Sequence, residues 1–208
     1  MSSLIPGLPS ATEWQVSELR YNRPAHCLVA LLLHRQRTDE ARIYLRTLSE
    51  TRYRRIRVRG AQLRNLQIAL ASEAPTLFLN GWRRRKARSW DWDGLFIVDL
   101  QTTRVRQLKG LARAGARFTV WVSQLLGCDA AGKRIYIVLA RERPMTHGEF
   151  ARLMARLRRE GVRVLTAPKE KGTESERRKA THVDYFLAEY SLRARHVRDI
   201  TLLPGVFA

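Results

Sequence analysis

Residues 54–75, RRIRVRGAQLRNLQIALASEAP, carry the reading on which the fold class turns. In the first part Arg55, Arg57 and Arg59 alternate with Ile56 and Val58. That is the period of a strand with three guanidiniums on one face and two aliphatics on the other. Gly60 ends the pattern, and Leu63, Leu66, Ile68 and Leu70 then provide the apolar positions for a helix from Ala61 to Ser72. Pro75 closes that helix, because proline cannot continue one. A strand followed by a helix predicts an α/β or α+β protein, a mixed sheet with helices packed on it.

The flanking sequence extends this reading in both directions. Residues 1–24, with Pro6, Pro9 and Pro24, form a loosely structured lead-in that Trp14, Val16 and Leu19 would fasten to the body. The apolar run 26–34 suits a buried strand, and Thr38-Asp39-Glu40 opens a helix packed through Ile43, Leu45 and Leu48. Thr76 to Asn80 is a short strand, and residues 81–94 are a long loop or hairpin. Beyond it come a strand at 95–100, a helix at 103–115 and a hairpin made of 117–126 and 133–140. The pattern Thr146-His147-Gly148-Glu149 is a capping box opening a helix that Gly161 stops. A strand at 162–167, a long helix at 174–195 and a strand at 199–203 complete the chain. The division is therefore a lead-in (1–24), a basic N-terminal subdomain (25–94) and a more regular α/β C-terminal subdomain (95–208). No internal repeat stands out in the sequence.

Charge is the strongest functional signal. The 208 residues include 39 Lys and Arg against 19 Asp and Glu, a formal net charge of +20. Such an excess repels itself in a compact state unless a polyanion relieves it, and nucleic acid is the commonest polyanion. The excess is also clustered. Between residues 51 and 90 lie eleven basic residues and a single acid, Glu73. Clustering of this kind is the footprint of phosphate binding. The two cysteines, Cys27 and Cys128, make neither a zinc motif nor a disulfide framework, which points to a reducing cytoplasm. No apolar run is long enough to span a membrane, and residues 1–10 lack the basic and apolar regions of a signal peptide. The expected partner is thus nucleic acid and not a membrane.

Several groups of residues would carry the contact. Arg52, Arg54, Arg55, Arg57 and Arg59 cluster around the first alternating segment. Trp82, Arg83, Arg84, Arg85, Lys86, Arg88 and Trp90 interleave aromatic and basic side chains. That mixture suits single strands, whose bases stack on rings while guanidiniums hold the backbone. Arg106, Lys109 and Arg113 recur at helical spacing, with no acid between Asp99 and Asp129 to pair with them. Arg152 and Arg156 line one face of the 146–161 helix, opposite Phe150, Leu153, Met154 and Leu157. These features favour RNA or single-stranded DNA, bound through its phosphates, and suit a subunit of a ribonucleoprotein or DNA-processing complex. A DNA-binding regulator is the alternative if residues 38–72 form two helices around a turn.

Catalytic signals are sparse. The chain lacks a phosphate loop, a nucleophile elbow, an HExxH motif and a cysteine–histidine metal pattern, so no cofactor or metal is expected. The carboxylates that could gather a divalent ion are Asp99, Asp184 and Asp199. Ile97-Val98-Asp99, then Lys179 to Asp184, then Asp199-Ile200-Thr201-Leu202-Leu203-Pro204-Gly205 resemble the layout of PIN/NYN-type ribonucleases. In that family one strand ends in Asp and a later helix carries another. The resemblance implies a metal-dependent nuclease. Leu203-Pro204-Gly205 lacks the family's final Asp, however, and the expected Asn does not follow Asp99. The histidines His26, His34, His147, His182 and His196 read as structural, with His182 and Asp184 two apart on a helix and so facing apart. Binding without catalysis is the expectation.

Overall fold

The computed structural model describes residues 6–37, 40–58, 64–86, 89–108, 120–159 and 181–203. These residues form three four-stranded antiparallel sheets, each a meander whose strands lie side by side in chain order. The first sheet holds β1 (Trp14–Asn22), β2 (Cys27–His34), β3 (Ala41–Thr47) and β4 (Arg54–Ile56). The second holds β5 (Arg64–Leu70), β6 (Thr76–Lys86), β7 (Ser89–Asp99) and β8 (Val105–Gln107). The third holds β9 (Val120–Cys128), β10 (Arg134–Pro144), β11 (Thr181–Ser191) and β12 (His196–Leu203), with the helix α1 (His147–Arg159) between β10 and β11.

The α/β expectation is therefore overturned: the protein is built of sheets, and α1 is the one helix among the described residues. The reason is visible in the stretch that first suggested a helix. Leu66, Ile68 and Leu70 recur every second residue, which is strand spacing, and Ala69 between them faces the other way. Leu66 and Ile68 enter the core shared with the first sheet, while Ala69 enters the core shared with the third. A strand buried on both faces shows no polar side, so its apolar run mimics a helix. The helix expected after Thr38 is instead β3, whose Ile43 and Leu45 face inward while Arg42 and Arg46 alternate on the outer side. The long helix expected at 174–195 is β11 over residues 181–191, with Phe186, Ala188 and Tyr190 facing inward. With residues 41–47, 54–56 and 64–70 in strands, no pair of helices forms there.

Other expectations hold in whole or in part. The strand expected at 54–59 is present only as the short β4 over 54–56, with Ile56, and Val58 beyond it, against the core. Residues 81–86 and 89–94 belong to the β6–β7 hairpin, in which Trp82 stands opposite Trp92 and Arg84 opposite Trp90. The β9–β10 hairpin and α1 also form as read. The loosely structured lead-in is corrected: its residues 14–22 are a paired strand, and Trp14 alone of its three apolar anchors is buried. The strand read at 162–167 lies outside the described residues.

The sheets stack through two cores. One face of the second sheet (Leu77, Leu79, Phe96, Val98) packs on Val29, Leu31, Ile43 and Leu45 of the first. Its other face (Phe78, Leu95) packs on Val122, Ile135, Ile137 and Leu139 of the third. Each large side chain buried in these layers stabilises the fold by about 1.5–3 kcal/mol relative to exposure. Two buried asparagines sew the layers together. Asn22 donates through Nδ2 to the Ala71 and Ala74 carbonyls, both at 2.9 Å, and its Oδ1 accepts from the Ala25 amide at 2.8 Å. Asn80 donates to Gln67 Oε1 at 3.0 Å and to the Val122 carbonyl at 3.3 Å, and it accepts from Trp92 Nε1 at 2.8 Å.

Candidate nucleic-acid interface

The register of the first sheet sorts its side chains. On β2, Cys27, Val29 and Leu31 face the core, so Leu28, Ala30 and Leu32 face outward. Across from Ala30 on β3 stands Tyr44, flanked by Arg42 and Arg46, and opposite Tyr44 on β4 stands Arg55. Arg42, Arg46 and Arg55 therefore project from one outer face. Trp14 joins that face, buried against Ala30, Leu32 and Tyr44.

Arginine and ring are layered there. The Arg42 guanidinium carbon lies 4.0 Å from the Trp14 ring centroid, and that of Arg46 lies 5.2 Å from the Tyr53 centroid. Such stacking orients a guanidinium while leaving its donors free for an anion. The Nε groups of Arg42 and Arg46 are buried without a hydrogen-bond partner. Acid is scarce on the face. Glu40 is divided between Arg37 at 3.2 Å and Arg42 at 3.5 Å, while Glu50 is taken up by Arg54 at 3.1 Å. Desolvation pulls Arg55 below the ordinary guanidinium value, and the like charges of Arg42 and then Arg57 add to this, while Tyr44 and Glu40 oppose it. A group of cations that disfavour one another's charge is one an anion would relieve.

The cationic surface continues around the sheet edge. A cleft of about 510 Å³ lies between the end of β4 and β8, lined by Arg57, Val58, Phe96, Arg104, Arg106 and Gln107. Arg57, Arg104 and Arg106 are exposed.

The residues singled out in the sequence are distributed as follows. Arg52 is exposed in the turn before β4, Arg55 is on the outer face and Arg57 lines the cleft, whereas Arg54, opposite the core-facing Leu45, is on the other side of the sheet and pairs with Glu50. Trp82, Arg83, Arg84, Arg85 and Lys86 are on β6, and Trp90 is on β7. Arg59, Arg88, Lys109 and Arg113 lie outside the described residues. Arg106 stands on a strand and not on a helix, so the helical row expected with Lys109 and Arg113 is not its setting. Arg152 and Arg156 are exposed on α1, with Phe150, Leu153 and Met154 half-buried. Sequence reading missed Arg42, Arg46 and Arg104. Assigning residues 41–47 to a strand would have placed Arg42, Tyr44 and Arg46 on one face.

Two of the carboxylates considered for catalysis, Asp99 and Asp184, have structural partners. Asp99 Oδ1 accepts from the amides of Thr102 (3.1 Å) and Gln101 (2.9 Å), and these bonds hold its carboxyl below the usual range. Asp184 lies on β11, not on a helix, and two residues apart on a strand brings His182 to the same face, with Nε2 at 3.3 Å. Arg143 is clamped between Asp184 and Glu149, donating from Nη1 and Nη2 to Glu149 at 2.8 and 2.7 Å. Asp199 is on β12. Among the described residues no three His, Cys, Asp or Glu side chains converge on one point. No helix among them is long and apolar enough to cross a membrane.

No known family model matches this chain, and no curated protein matches it in sequence.

Proposed function

We propose that this protein binds nucleic acid, RNA or single-stranded DNA, along the outer face of the first sheet and into the adjoining cleft. The observation that carries the reading is the row Arg42, Arg46, Arg55, with two guanidiniums held on aromatic rings and too little acid nearby to neutralise them. Phosphates would meet Arg55 and Arg57 and then Arg104 and Arg106 in the cleft. Bases would stack on the open sides of the Arg42 and Arg46 guanidinium planes and on Tyr53. The Trp82–Trp90 hairpin, with its basic run, is a second contact in the same reading.

Binding of a labelled single strand, measured over a range of salt, tests it. Four arginine–phosphate contacts give a slope of log K against log salt of about −3, since each contact on a single strand contributes about −0.7. Arg57→Ala and Arg106→Ala should each weaken binding and flatten that slope by about 0.7. Trp90→Ala should weaken single-strand binding more than duplex binding. A wild-type slope near zero, or arginine variants that keep full affinity and slope, would rule the interface out.

A further inference from the structure

Three sheets have six edges, and five of them are ill suited to pairing with another chain. β5 and β9 pack on each other where the second and third sheets meet. β4 and β8 are three residues long and carry Arg54, Arg55 and Arg106. β12 follows Arg193 and Arg195 and carries Arg198. Shortness and exposed cations are the usual protection of an edge strand.

β1 has neither. It runs nine residues without lysine or proline, and its one arginine, Arg20, is paired with Glu18 at 2.6 Å. Among the described residues nothing pairs with its outer edge. Three of its apolar side chains stand open, Val16 at 50%, Leu19 at 56% and Tyr21 at 48% exposure. In a chain of net charge +20, this edge is locally balanced.

We propose that β1 pairs antiparallel with β1 of a second copy of this chain, about a two-fold axis through Leu19. Charge selects the register. With Leu19 opposite itself, Glu18 faces the second copy's Arg20, and Arg20 faces its Glu18. Both residues stand beside core-facing positions of β2, Leu31 and Val29, so all four charges share one side of the joined sheet. Every neighbouring pair among them, along a strand or across, is of opposite sign. Shifting the axis to residue 18 puts Glu18 opposite Glu18, and shifting it to residue 20 puts Arg20 opposite Arg20. On the other side Leu19 meets Leu19 and Tyr21 meets the bulged Ser17, covering Leu19 and part of Tyr21. The two four-stranded sheets become one continuous sheet, with the Arg42–Arg55 rows at its two ends on a common surface.

The test uses the whole chain free of nucleic acid, so its outcome is separate from that of the nucleic-acid reading. Sedimentation and light scattering across the micromolar range should show a closed dimer. Glu18→Arg should weaken it about tenfold by turning two attractive cross-strand pairs repulsive. The double variant Glu18→Arg with Arg20→Glu should restore the dimer, which separates loss of pairing from loss of fold. Leu19→Cys under mild oxidation should give a covalent dimer through residue 19. A monomeric wild type, a Glu18→Arg variant that dimerises unchanged, or an open series of larger oligomers (the mark of β1 joining β12) would overturn the proposal.

Discussion

Asn80 has no exposed surface, yet it is polar, and its position is explained by three hydrogen bonds that reach Gln67, Trp92 and the Val122 backbone. Gln67 extends the network by accepting from the Leu125 amide at 2.7 Å. Asn80→Leu would fill the space but leave the Trp92 donor and the Val122 carbonyl unsatisfied in the interior. Urea unfolding should show a loss of about 3 kcal/mol, since each stranded polar group costs about 1–3 kcal/mol. Burial acts on the two cysteines by the same desolvation. It pushes both the Cys27 and Cys128 thiols up to about 11, with the Asp129 charge adding to the effect at Cys128. Because the thiolate is the reactive form, both should label slowly with a disulfide reagent at pH 8 and rapidly once the chain is unfolded. Fast labelling of the folded protein would contradict the buried setting.

At the level of the element, α1 shows how a short signal suffices when it is specific. Thr146 Oγ1 accepts from the Glu149 amide at 3.3 Å, and Glu149 accepts from the Thr146 amide at 2.8 Å, the reciprocal pair of a capping box. Glu149 also receives Arg143, which ties the first turn of the helix to Asp184 on β11. Arg143 and then Thr146 hold the Glu149 carboxyl well below its ordinary value. A lowered carboxylate stabilises the fold fully above the unfolded pKa of about 4.3 and loses that contribution as pH falls towards the folded value. Acidification from pH 5 should therefore loosen α1 in the wild type. Glu149→Gln should lower stability near neutrality and remove that part of the acid dependence, as followed by thermal unfolding against pH. The strands were harder to read. The alternation around β4 is strand spacing that a sequence shows on its face, whereas β5, β3 and β11 carry apolar side chains on both faces or mix them with charged ones, a pattern that a helix shares.

Over the whole molecule, the second sheet is the middle layer, covered on both faces, and the first and third each keep one outer face. A net charge of +20 spread over such a stack repels itself, and salt or a bound polyanion relieves the strain. Raising ionic strength from low values to about 0.15 M should increase the unfolding temperature, because the Debye length then shrinks to about 8 Å. A fall over that range would mean that attractive pairs dominate. What the sequence by itself determined was what adjacent residues can encode: the charge excess and its clustering, the alternation that includes β4, the β9–β10 hairpin and the cap of α1. Only the tertiary structure decided that buried runs such as Leu66 to Leu70 are strands, because the choice depends on neighbouring sheets covering both faces. It alone placed Arg42 and Arg46 on the rings of Trp14 and Tyr53, and Arg57 across a cleft from Arg104 and Arg106. Those contacts join residues far apart in the chain, and no local spacing records them.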